Sequence, residues 1–224
     1  MEDIKLIEVK EEILSYNIKQ AGEVRERLRK TKTMLLNLMS SPGSGKTSLI
    51  LQTVEGLRGS LRLGVIEADI DSTVDAEKVA ARGIRTIQLR TGGFCHLDAA
   101  MVTRGIDAID LDELDLVIIE NVGNLVCPAE FDTGAHKNVM ILSVPEGDDK
   151  PLKYPLMFSV CDLLLINKID YLSLSDFDAA TLRKRVLALN PRITILEVSC
   201  KTGVGIGSWI DWLKAEVEAF KRPK

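Results

Sequence analysis

Seven short apolar runs, each followed by a stretch with helical spacing, constrain this chain more than any other feature. The runs are Met34–Met39, Leu63–Ile66, Thr86–Leu89, Leu114–Ile119, Val139–Val144, Leu163–Ile166 and Ile193–Val198. Several are apolar at nearly every position, the pattern of strands covered by helices on both faces. Alternation of such strands with helices implies an α/β fold built on a mostly parallel sheet. The last helix is marked by Ile206, Trp209, Ile210, Leu213 and Val217. Before the first run, residues 3–29 read as an amphipathic helix, with Leu6, Val9, Ile13 and Leu14 on one stripe and a strongly charged half after it. The expected division is an N-terminal helix over 1–30, an appendage to the sheet, and one α/β domain over 31–224.

Composition removes several functions. Lys and Arg number 29 against 33 Asp and Glu, for a net charge of −4. That balance offers no footprint for nucleic acid or an anionic membrane. No apolar run approaches the roughly 18 residues that cross a bilayer. Four scattered cysteines do not form a secreted disulfide framework, so a reducing cytoplasm is expected.

The first run leads into Ser40-Ser41-Pro42-Gly43-Ser44-Gly45-Lys46-Thr47-Ser48 and then an apolar helical stretch. This segment resembles the Walker A loop of nucleotide hydrolases, with Ser40 where Gly is usual. Small residues let successive backbone N–H groups wrap a phosphate, a lysine neutralises charge, and a hydroxyl faces Mg²⁺. Gly43, Ser44, Gly45, Lys46, Thr47 and Ser48 are therefore nucleotide-binding candidates. The sixth run ends in Asn167-Lys168-Ile169-Asp170, which resembles the guanine-specificity motif of GTPases. A carboxylate at Asp170 accepts from guanine N1–H and its exocyclic amine, groups that adenine does not present. Asn167 would brace the phosphate loop and the stem of Lys168 would cover the base. Ser199-Cys200-Lys201, after the seventh run, resembles the companion loop that meets guanine O6. Both segments fall at strand C-termini, where open α/β sheets bind ligands.

Glu120-Asn121-Val122-Gly123 ends the fourth run and looks like a second-switch segment, with Glu120 in place of the commoner Asp. Gly123 would present its N–H to the γ-phosphate. Upstream, Glu67-Ala68-Asp69-Ile70-Asp71-Ser72-Thr73-Val74-Asp75 ends the second run. Asp69 and Asp75, with Thr47 and Glu120, are the expected Mg²⁺ residues, and Asp71 is the substitute. Lys46, Asp75, Glu120 and Gly123 are the catalytic candidates. No residue takes the water-positioning Gln role, so intrinsic hydrolysis is expected to be slow.

One of the two histidines stands beside a cysteine, in Cys95-His96-Leu97-Asp98, and Cys127 lies seven residues after Glu120. Thiolate and imidazole suit Ni²⁺ or Zn²⁺. Three ligands are incomplete, and the remainder is water, a carboxylate or a second subunit. The plainer alternative makes Cys127 a small core residue and His96 a helix-start residue.

Read together, SPGSGKT, CHLDA, ENVGNLVCP and NKID resemble the hydrogenase nickel-incorporation GTPases, a likeness running from about residue 33 to 215. It implies a P-loop NTPase G domain binding GTP or GDP with Mg²⁺, and GTP-linked homodimerisation that joins two Cys95–His96–Cys127 sites. It also implies nickel delivery to the hydrogenase large subunit with a nickel- and zinc-binding metallochaperone, for which the N-terminal helix would be the docking element. The sequence has no CxxCGC motif or His-rich stretch, so a regulated transfer site is expected rather than nickel storage. Because Cys127 shares a short connection with Gly123, nucleotide state would reposition a metal ligand. The alternatives are the urease nickel-insertion GTPases, whose Cys-Pro-His motif is Cys127-Pro128-Ala129 here, and a passive GTP-binding metal scaffold.

Overall fold

The computed structural model describes residues 9–222. Helix α1 (Val9–Thr31) precedes β1 (Met34–Ser40), α2 (Lys46–Leu57), β2 (Leu63–Asp69), α3 (Val74–Ala80) and β3 (Arg85–Arg90). The chain continues through α4 (Ala99–Ala108), β4 (Leu116–Glu120), α5 (Cys127–Glu130), β5 (Lys137–Ser143), α6 (Lys150–Lys153) and α7 (Pro155–Val160). It ends with β6 (Leu163–Asn167), α8 (Ala179–Leu189), β7 (Thr194–Glu197) and α9 (Ile206–Lys221). The seven strands form one parallel sheet in the order β3-β2-β4-β1-β5-β6-β7.

Each expected run is a strand, and the differences lie at the ends. Leu114 was expected to open the fourth strand but instead follows a 3-10 turn at Leu111–Glu113, where the Asp110 carboxylate accepts from the Asp112 N–H. The apolar runs are explained by burial on both faces. Met34, Leu36 and Leu38 face α2 and α9, packing with Leu49, Ile50, Trp209 and Leu213. Leu35, Ile66, Val117 and Ile119 face the other way, toward α1 and α4, and Met140, Leu142, Leu164 and Ile166 meet α7 and α8.

The N-terminal helix departs from the expected appendage. Leu6 and the side chain of Val9 lie outside the described residues, Ile13 is half exposed and Leu14 is partly buried. The half that reads as charged is the half that packs: Ala21, Val24 and Leu28 are buried at helical spacing. Val24 and Leu28 share a cluster with Val102 and Ile106 of α4. Three apolar residues among many charges make a weak stripe in sequence, yet they suffice to seat two turns.

β1 lies between β4 and β5, and the chain leaves it toward β2 on one side while later strands build the other. That reversal opens a crevice at the carboxyl end of β1. The phosphate-type loop, the end of β2 and the end of β4 all meet there.

Candidate nucleotide and metal site

A cavity of ≈ 500 Å³ lies over the β1–α2 loop, walled by Gly43, Lys46, Thr47, Glu67, Asp75, Glu120 and Gly123 among others. Gly45 has φ +105°, and a Cβ there would stand 2.5 Å from Asn167 Nδ2. Only glycine permits that approach. Asn167 Nδ2 donates to the Ser44 carbonyl at 2.9 Å, so β6 braces the loop as expected. Ser44 is fully buried and donates to the Ser41 carbonyl at 2.7 Å, stiffening the loop from inside. Ser40, the departure from the usual Gly, holds Lys46: Nζ donates to its Oγ at 3.0 Å. Burial pulls the Lys46 ammonium below its ordinary value, opposed by the carboxylates of Glu120, Glu67, Asp75 and Glu146.

Gly123 closes on the same loop, where an added Cβ would meet Pro42 at 2.9 to 3.1 Å. Glu120 Oε1 accepts from Thr47 Oγ1 at 3.0 Å. Across the sheet, Glu67 on β2 stands in register with Glu120 on β4. Both are nearly buried, and neither Glu67 Oε1 nor Glu120 Oε2 has a donor. Burial pushes both carboxyls up from their ordinary value, and for Glu67 the facing Glu120 adds to the effect. Two orphaned acceptor oxygens beside a threonine hydroxyl require a proton or a hard cation between them. The donor set is all oxygen, so the residues present fit Mg²⁺.

Asp69 and Asp75 line the same cavity at its exposed side. Asp69 Oδ1 accepts from the N–H groups of Asp71 and Ser72, closing a turn, and Asp75 pairs with Lys78 at 2.7 Å. Glu67 is the residue that sequence reasoning passed over in favour of these aspartates. Glu67 is buried within β2, whereas Asp69, two residues on, ends the strand exposed. Gln88 of β3 also reaches this cavity.

A second cavity of ≈ 230 Å³ adjoins the first through Gly45, Ser48 and Lys168 and is walled by Asn167, Asp170, Tyr171, Cys200 and Lys201. Asp170 Oδ1 accepts from Ser199 Oγ at 2.6 Å, which aims the carboxylate, and Lys201 Nζ lies 4.0 Å from Oδ2. Lys168 adopts φ +60° and donates from Nζ to the Gly43 carbonyl at 2.7 Å, so its stem spans the loop. Asn167 Oδ1 accepts from the N–H of Cys200 at 3.3 Å, tying the Ser199–Lys201 loop to β6.

The thiols of Cys95 and Cys127 stand 3.2 Å apart, and Cys95 Sγ is 3.9 Å from His96 Nδ1. All three ligand atoms lie within 4.8 Å of one another. His96 does not start α4; Asp98 caps it by accepting from the Met101 N–H, and the imidazole stacks on Phe131 at 3.9 Å. Burial keeps the imidazole below its ordinary value, hence neutral, the form that binds metal. The segment after β4 controls this loop: Asn124 Nδ2 donates to the Cys95 carbonyl, and Asn121 Oδ1 accepts from the Leu97 N–H at 3.2 Å.

The neighbouring Cys95 thiol and burial raise the Cys127 thiol above its ordinary value. A bound ion must therefore displace a proton that is held firmly near neutrality. Affinity for Ni²⁺ is expected to rise with pH, by about tenfold per unit for each thiol proton released. Nickel titrations on either side of neutrality check this, and a flat profile removes the thiolates from the site.

The CobW/HypB/UreG nucleotide-binding domain matches residues 34–197. The chain is 45% identical over 212 residues to hydrogenase maturation factor HypB of Azotobacter vinelandii, covering 95% of this chain and 70% of that protein. Against HypB of Escherichia coli K12 the identity is 42% over 216 residues, 96% of this chain and 74% of that one. The crystal structure of Helicobacter pylori HypB in complex with nickel superposes with a TM-score of 0.88 at 35% identity, over 93% of this chain and 98% of that one. HypB of Archaeoglobus fulgidus gives 0.85 at 39%, over 91% and 100%.

Proposed function

This chain belongs to the CobW/HypB/UreG family of nucleotide-binding domains, among its HypB hydrogenase maturation factors, and from that premise we propose that it is a GTP-hydrolysing switch supporting nickel insertion into the large subunit of a nickel–iron hydrogenase. The observation that carries the reading is the single connection from Glu120 to Cys127, which touches the nucleotide cavity at one end and the thiol–imidazole cluster at the other.

Asp170 reads guanine, with Ser199 orienting its carboxylate and the Ser199–Lys201 loop closing over the base edge. Lys46 and the backbone of the Gly43–Ser48 loop hold the phosphates. Thr47 and Glu120, with Glu67, Asp69 and Asp75 around them, would hold Mg²⁺, whose role is to neutralise charge on the phosphates. Gly123 senses the γ-phosphate from its position against Pro42. When that contact is lost, Asn121 and Asn124 shift with it. They hold Leu97 and Cys95, so the metal site changes shape. By linkage, metal then alters nucleotide affinity to the same extent.

Nickel is the cargo in this scheme, as the nickel complex of the Helicobacter pylori relative supports, and Cys95, His96 and Cys127 are its ligands. A second copy completes the coordination in a GTP-dependent homodimer. Residues 1–30 dock the nickel- and zinc-binding metallochaperone through the exposed Ile13, Tyr16 and Ile18, and residues 31–224 form the G domain. Among the described residues no helix is long and apolar enough to cross a membrane. Two thiols 3.2 Å apart remain reduced in a cytoplasmic setting.

Single-turnover nickel release distinguishes the switch from a passive scaffold. Protein loaded with GTP is expected to release nickel to a chelator faster than protein loaded with a non-hydrolysable analogue. Lys46→Ala is expected to bind nickel without nucleotide as the parent does, yet show no GTP acceleration. Equal release with both nucleotides overturns the switch.

A further inference from the structure

Asn17 is 4% exposed, whereas its neighbours Tyr16 and Ile18 on α1 are 64% and 61% exposed. Burying a primary amide is unfavourable unless its polar atoms are matched. Here Oδ1 accepts from the Ala99 N–H at 2.9 Å, and Nδ2 donates to the Asp132 carbonyl at 2.9 Å. Those two backbone groups belong to the two segments that carry the thiol–imidazole cluster. Ala99 opens α4 three residues after His96, and Asp132 follows Phe131, on which the His96 ring rests. Arg25, two turns further along α1, grips the same segment by pairing with Asp132 at 2.5 Å and donating to the Ala135 carbonyl.

We propose that Asn17 is a positioning residue for the Cys95–His96–Cys127 site, setting from α1 the separation of the two segments that supply its ligands. Asn121 and Asn124 hold the Cys95–His96 loop from the nucleotide side. Asn17 holds the end of that loop from α1, at Ala99, and is bonded to the segment beyond Cys127 as well. Metal sites tolerate only a few tenths of an ångström in ligand placement. A slide of α1 by one residue is about 1.5 Å and breaks both amide contacts. The exposed Ile13, Tyr16 and Ile18 lie on the same stretch of helix, so a load on that surface reaches both ligand-bearing segments through Asn17, the side chain bonded to each of them.

The proposal rests on reading the cluster as a nickel site, and its test carries one readout that does not need nickel. Asn17→Leu keeps the volume and removes both bonds; Asn17→Asp keeps an acceptor for Ala99 and loses the donor to Asp132. Nickel affinity and the thiolate-to-nickel charge-transfer band are measured for each, with guanine nucleotide affinity as the check on folding. Asn17→Leu is expected to bind nickel about tenfold more weakly with an altered band, and Asn17→Asp to fall between it and the parent. In metal-free protein, the rate at which diamide closes the Cys95–Cys127 disulfide, followed by peptide mapping, is expected to drop in both variants. Parent-like nickel binding and disulfide rate in folded Asn17→Leu overturn the proposal. Where Asn17→Leu does not fold, parent-like values in Asn17→Asp overturn it equally. A parent that binds no nickel overturns the nickel reading, and the disulfide rates then decide the role of Asn17 alone.

Discussion

Asp170→Asn is expected to lose GTP affinity by about 2–4 kcal/mol, roughly 30- to 900-fold in dissociation constant. The carboxylate lines the small cavity beside the phosphate loop, with Oδ1 bonded to Ser199 and Oδ2 4.0 Å from Lys201 Nζ. Guanine offers two donors on one edge, N1–H and the exocyclic amine. An amide replaces one acceptor oxygen with an NH₂, so a donor faces a donor. Xanthine has a carbonyl where guanine has the amine, and the same amide complements it. Xanthosine triphosphate is therefore expected to bind the variant better than GTP does. Fluorescent nucleotide titration of both ligands checks the pair of outcomes. GTP affinity equal to the parent's removes the guanine assignment, and loss of both nucleotides indicates a damaged fold.

Cys127→Ala is expected to weaken nickel binding by more than about 100-fold, since loss of an outer-shell partner alone costs 10- to 100-fold. The thiol is 3.2 Å from Cys95 Sγ and opens α5, directly before Pro128. Pro128 stiffens the chain there, so no neighbouring side chain swings in to replace the sulfur. A soft thiolate also contributes most of the preference for a late transition metal over Mg²⁺. If two subunits share one ion, the substitution removes two ligands together and nickel no longer promotes dimer formation. Without nickel, guanine affinity is expected to stay unchanged, because Asp170 lines the adjoining cavity, away from Cys127. Light scattering after size-exclusion chromatography, with a GTP analogue and with or without nickel, reads the dimer. A nickel response equal to the parent's would remove both the ligand assignment and its coupling to the nucleotide.

Much of this protein is legible in its sequence because the deciding interactions are local. A strand buried on both faces must be apolar at consecutive positions, and all seven such runs are strands. A loop that wraps phosphate must be small and carry a lysine, and Gly43-Ser44-Gly45-Lys46 has that form. Cys95 and His96 are adjacent in sequence, and the spacing of Cys127 from Glu120 limits how far its thiol can stray. The family resemblance rests on those same segments, which is why it reaches the correct fold.

The remainder depends on pairings that no local pattern contains. Glu67 and Glu120 are fifty-three residues apart in sequence and face each other only because β2 and β4 pair in that register. Before that register is known, Glu67 is one acidic residue among several at a strand end, and Asp69 and Asp75 look better placed. Asn17 is likewise unremarked in a polar helix until α1 settles on α4 and its amide meets Ala99 and Asp132. The sequence by itself determined the strands and the phosphate-type loop, and it singled out Asp170 as the proposed guanine reader and Cys95, His96 and Cys127 as the proposed metal ligands, because each is a short-range requirement on residue type. Only the tertiary structure decided which carboxylates are buried together and which helix bonds to the segments carrying the thiol–imidazole cluster, because burial and register are set by contacts between segments far apart in the chain.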